Sequence, residues 1–124
     1  MQQPLFCRTR AKALSDETRL RVFSLVLERE CSVCEIMQAM RISQSRASRN
    51  LSILYDAGLL KVKRDGLWVL YSIDKEAIKK SYDGLAEIAR NSLKDSEIAA
   101  LDHERLKTAV RQGPCSQSTF VDDV

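Results

Sequence analysis

Cys31 and Cys34 stand three residues apart in the segment Glu30-Cys31-Ser32-Val33-Cys34-Glu35. At that spacing two thiols fall on one face of a helix and can share a soft metal or metalloid ion without unwinding it. Two thiolates do not close a site, so a third sulfur must come from Cys7 or Cys115, the other cysteines of the chain. Cys7 is favoured, because Cys115 lies in a polar tail whose ordering costs more conformational entropy. Two other readings stay open. A Cys-x-x-Cys pair near a helix start is also suited to reversible disulfide formation, and small buried cysteines are ordinary core residues.

The elements that carry these thiols read as mainly helical. After Pro4 a short helix is expected over about 5–13, then Ser15 as the cap of a helix over Asp16 to Glu28 with Leu20, Phe23 and Leu27 inward. Val33, Ile36, Met37 and Met40 give a third helix over about 32–40. Ser43 caps a fourth, to about Asp56, with Ala47, Leu51 and Leu54 inward and Gln44, Arg46, Arg49 and Asn50 outward. Beyond Gly58 the period changes to two, through Leu60 and Val62, then Val69, Tyr71 and Ile73, with Asp65-Gly66 as a type I′ hairpin turn. Asp74 caps a helix over about 75–91, whose stripe Ile78, Tyr82, Leu85 and Ala89 suits a two-fold interface. A last helix spans about Asp95 to Arg111, where Gly113-Pro114 stops it, and 112–124 forms a flexible tail. The order α-α-α-α-β-β-α-α is that of a winged helix-turn-helix: one dimeric domain over 1–111, helix-turn-helix at about 32–56, wing at about 60–73, and dimer helices at about 5–13 and 75–91.

Composition agrees with one such domain: 124 residues, 44% hydrophobic and 30% charged. With one histidine, four glycines and no phosphate-binding loop, neither an enzyme nor an organic cofactor is expected. No apolar run is long enough to span a membrane and no export signal opens the chain, so a cytoplasmic location is expected. The net charge of +3 is modest but uneven: residues 41–66 carry +4 and the remainder −1. Such a basic concentration on the fourth helix and the hairpin is what phosphate neutralisation on double-stranded DNA requires. On this reading Ser43 and Ser45 meet a phosphate, and Gln44, Arg46, Arg49 and Asn50, with Ser48 beside them, face base edges. Lys63 and Arg64 lie over the backbone or the minor groove.

Five segments carry a family likeness: Leu14-Ser15-Asp16-Glu17-Thr18-Arg19-Leu20-Arg21, Glu30 to Ile36, Ser43 to Leu51, Ala57-Gly58-Leu59-Leu60 and Arg64 to Tyr71. Over about residues 13–90 the chain resembles the ArsR/SmtB metal-sensing repressors. The resemblance implies a homodimeric winged-helix repressor that holds its operator when metal-free and releases it when As(III) or Sb(III) binds, or alternatively Cd(II) or Pb(II), so that a resistance operon is expressed. The pattern usual in such sensors is Cys-x-Cys followed by an acid. Cys34 and Glu35 match its second half, whereas Ser32 stands at the first cysteine and Cys31 lies one residue earlier. Met37 occupies the position of a third cysteine found in some arsenical sensors. The family's other site, on the dimer helix, uses histidines and carboxylates that this chain lacks there. Zinc or nickel sensing is therefore not expected.

Overall fold

The computed structural model describes residues 12–76 and 82–111. Their elements are α1 (Glu17–Glu28), β1 (Cys31–Ser32), α2 (Val33–Met40), α3 (Gln44–Asp56), β2 (Leu60–Asp65), β3 (Trp68–Ile73), α4 (Tyr82–Leu93) and α5 (Glu97–Thr108). The expected winged helix-turn-helix order is present, with one added strand. Of the helix expected over 5–13, only residues 12 and 13 are described, and both are helical.

Capping chemistry sets most of the helix starts. Asp16, rather than Ser15, caps α1: its carboxylate accepts the Arg19 N–H at 3.0 Å, while the Ser15 hydroxyl turns back to the Lys12 carbonyl at 2.7 Å. Ser43 caps α3 and Ser96 caps α5 by the same device. The helix expected from Asp74 is not continuous from there, since residues 75 and 76 form a turn and 77–81 lie outside the described residues. Ile78 and the side chains of Tyr82 and Leu85 are likewise outside them, and of that stripe Ala89 is fully buried.

α1 is the centre of the molecule. Leu20, Val22, Phe23, Leu25 and Val26 are all buried, a wider set than one amphipathic stripe, because α3, α4, α5 and β3 pack around this helix. Burial of a side chain such as Phe23 contributes about 1.5–3 kcal/mol. α2 lies between α3 and α5. Its C-cap, Arg41, takes the left-handed conformation (φ 58°) and donates its N–H to the Met37 carbonyl, turning the chain into α3 through buried Ile42.

The sheet order is β1-β3-β2, antiparallel throughout. Asp65 pairs with Trp68, so Gly66 and Leu67 are the central turn residues. Positive φ occurs at Gly66 (64°) and not at Leu67, the Gly-x pattern of type II′ in place of the expected Asp-Gly type I′ turn. Side-chain chemistry then ties α5 down. Arg21 makes a bidentate pair with Asp102 at 2.7 and 2.9 Å, and Gln38 on α2 exchanges hydrogen bonds with the Val110 backbone at 2.7 and 3.1 Å.

Candidate nucleic-acid interface and thiol site

The amino-terminal part of α3 and the β2–β3 hairpin carry the expected basic surface. Ser45 and Arg49 are exposed, Gln44, Arg46 and Ser48 are half-buried, and Lys61, Lys63 and Arg64 stand out from the wing. The Ser43 hydroxyl accepts the Arg46 N–H at 3.3 Å and lies 3.2 Å from the Ser45 hydroxyl, so the start of α3 is a capped turn. Asn50 departs from the expected set. It is buried and donates its side-chain N–H to the Arg46 carbonyl at 2.9 Å, so it braces α3 from within and does not face a groove. Position 50 lies three residues after Ala47 and four before Leu54, on the core side of the helix, and that spacing could have revealed it.

The two central cysteines do not share a helix face. Cys31 lies in β1, Ser32 is the extended N-cap of α2, and Cys34 is in the first helical turn. The i, i+3 argument fails because the helix starts only at Val33. Cys31 is fully buried in the core, its thiol facing the Arg29 carbonyl at 3.2 Å and that of Leu25 at 3.9 Å. Burial, with the Glu35 carboxylate next in weight, pushes its pKa up to about 12. A thiol so held is protonated at neutral pH and is a poor ligand or nucleophile. Cys34 is disulfide-bonded, whereas Cys31 is a free thiol and hence not its partner. The Cys31–Cys34 redox pair considered from spacing is therefore not the one formed. Cys7 and Cys115 lie outside the described residues.

Around Cys34 the surroundings are firmly built. Ser32 and Glu35 close a capping box: the Ser32 N–H donates to Glu35 at 2.8 Å, and the Glu35 N–H donates to the Ser32 hydroxyl at 3.3 Å. The buried Glu35 carboxylate also receives Arg29 at 2.9 Å and Arg111 at 3.0 Å. Arg111 continues to the Glu30 carbonyl at 3.3 Å, and the bond to Glu35 raises its pKa. Ser32 thus serves as the N-cap of α2. A three-sulfur ion site is not assembled among the described residues, which hold no cluster of three His, Cys, Asp or Glu side chains able to take a metal.

β1 links this turn to the wing. Cys31 and Ser32 pair with Tyr71 and Leu70 of β3, whose other edge carries β2 with Lys63 and Arg64. Lys63 also approaches Glu30 at 3.8 Å. Spacing gave no sign of this two-residue strand, since its pairing partner lies some forty positions away.

With this geometry in place, residues 16–62 match the model of the bacterial regulatory protein, arsR family. The uncharacterized HTH-type transcriptional regulator YbzH of Bacillus subtilis is 36% identical over 60% of this chain and 89% of its own length. The chain belongs to the ArsR/SmtB family. A cadmium resistance transcriptional regulatory protein CadC homolog of Staphylococcus aureus is 36% identical over 64% of this chain and 66% of its own, and the arsenic resistance transcriptional regulator ArsR1 of Pseudomonas putida is 42% identical over 52% of each. The chain thus matches between about half and two thirds of the length of these resistance regulators. The homodimeric winged helix-turn-helix DNA-binding domain Mb0332 of Mycobacterium bovis superposes with a TM-score of 0.62 at 24% identity, covering 78% of this chain and 93% of that one, which supports the fold. No helix among the described residues is long and apolar enough to cross a membrane.

Proposed function

We propose that this ArsR/SmtB-family chain is a transcriptional repressor that binds operator DNA as a homodimer and releases it when Cys34 engages a thiol-seeking effector, As(III) or Sb(III) in the first instance. The observation that carries the reading is the shared sheet: the turn bearing Cys34 and the wing bearing Lys63 and Arg64 are joined through β1 and β3. A change at the start of α2 reaches the DNA-facing wing through paired backbone, and reaches α3 through the Arg41 turn. An effector acts this way only by binding the released form better, and about 2–4 kcal/mol of coupling is ample. Arg49, Lys63 and Arg64, with Gln44, Ser45 and Arg46, supply the DNA contacts. Exposed Ile88 on α4 supports a dimer face. Further sulfurs for the ion come from Cys7 and Cys115, with Cys31 kept in the core.

The disulfide at Cys34 favours a second reading, in which oxidation of Cys34 with a terminal cysteine is itself the releasing event. Fluorescence anisotropy of a labelled DNA fragment from upstream of the protein's own gene, with fully reduced protein, separates the two. Release by arsenite under reduction supports the metalloid reading. Release by cadmium alone moves the assignment to that ion, and release by oxidant alone moves it to the redox reading. Failure of the reduced protein to bind the fragment refutes the repressor assignment.

A further inference from the structure

Ser24, Glu28 and His103 form a polar relay between α1 and α5. His103 Nδ1 lies 2.6 Å from a Glu28 carboxylate oxygen, and its Nε2 lies 2.8 Å from the Ser24 hydroxyl. A carboxylate only accepts, so Nδ1 carries the hydrogen there and the ring orientation is fixed. This relay forms one wall of a cavity of about 510 Å³ between α1, the end of α4 and the start of α5. Arg90 and Lys94 also line it, together with apolar Leu27, Leu93 and Ala99. Among the described residues lining it, Glu28 is the acidic one, and it is hydrogen-bonded to His103.

We infer that this cavity binds a small amphipathic organic anion with a carboxylate head. Arg90 and Lys94 supply the attraction and the hydrogen-bond donors, Leu27 and Leu93 cover the apolar body, and the Ser24–His103–Glu28 relay, its own donors already used, shapes the site beside them. The volume lies within the range of sites for compact organic ligands. A Ser–His–Glu relay is also the wiring of nucleophilic hydrolases. Ser24 lies inside α1, however, where its own N–H belongs to the helical ladder and cannot stabilise an oxyanion, so the geometry supports binding over catalysis.

The chain has one histidine, so the His103 Cε1–H resonance is a unique NMR reporter of the cavity. The test titrates reduced full-length protein with benzoate, with phenyl phosphate and with benzyl alcohol at fixed ionic strength. Benzoate is expected to shift the resonance saturably, and benzyl alcohol to bind at least about 10-fold more weakly. Arg90→Ala combined with Lys94→Ala removes two exposed side chains, so the fold persists, and it weakens benzoate by about 10-fold or more. Ser24→Ala weakens it less. An unsaturable response, an unchanged affinity in the double variant or equal binding of benzyl alcohol overturns the anion site. Tighter binding of phenyl phosphate overturns the carboxylate assignment.

Discussion

Glu35 is the most heavily engaged polar side chain described near the thiol turn, and its removal has a cost that can be worked from its partners. In Glu35→Ala the Ser32 amide loses its acceptor beside a buried strand, which costs about 1–3 kcal/mol. Arg29 and Arg111 lose their carboxylate as well. Their side chains are 38% and 27% exposed, so both reach water and each loss is discounted to about 0.5–1 kcal/mol. The other half of the capping box survives, because it uses the backbone N–H of residue 35. The total is about 2–5 kcal/mol, a large part of the 5–15 kcal/mol typical of a domain. With a urea slope of about 2 kcal/mol/M this lowers the midpoint by about 1–2.5 M at fixed protomer concentration. Arg111→Ala leaves Glu35 with Arg29 and the Ser32 amide, and costs only about 0.5–1 kcal/mol. Urea unfolding followed by circular dichroism reads both. Equal midpoints for the two variants, or a Glu35→Ala loss under about 1 kcal/mol, would refute the view that Glu35 organises this turn.

Three further outcomes are expected. Arg49→Ala and the pair Lys63→Ala with Arg64→Ala weaken operator binding and flatten its salt dependence by about 0.9 in log–log slope for each phosphate left without its cation, read by anisotropy across salt concentrations. Because folding raises the Cys31 pKa from 9.0 to about 12, the contribution of that thiol to stability is intact below pH 9 and declines by about 1.4 kcal/mol per unit as pH rises from there toward 12. Unfolding of reduced protein against pH, compared with Cys31→Ser, checks that slope. Gly66→Ala meets no atom within 4 Å but must adopt φ near +64°, so it destabilises by about 1 kcal/mol through the backbone alone, read by thermal unfolding.

Much of the fold was legible because its signals are local. Ser43 announced α3, and the change of period beyond Gly58 announced the wing. Ala47, Leu51 and Leu54 marked the buried side of α3, and all three are fully buried. What misled was also physical. A two-residue strand has no periodicity, so spacing gives no sign of β1, and the i, i+3 argument sets Cys31 beside Cys34 instead of in the core. The hairpin register follows cross-strand pairing rather than the Asp-Gly dipeptide, which moved the turn by one residue. Asn50 is polar by type, yet its position on the core side of α3 and the Arg46 carbonyl one turn back decide its place. Arg21–Asp102, Arg111–Glu35 and Ser24–His103 each join positions more than seventy residues apart, and only the docking of α5 brings them together.

Whether Cys34 controls release while Cys31 serves the core is decided by arsenite titration of the reduced protein bound to labelled operator, with Cys34→Ser and Cys31→Ser compared with the wild type. Cys31→Ser is expected to let go of DNA as the wild type does, since a hydroxyl can keep the contact to the Arg29 carbonyl, whereas Cys34→Ser binds DNA and stays bound at every arsenite concentration. Normal release by Cys34→Ser, or failure to release in Cys31→Ser alone, would contradict this division of roles.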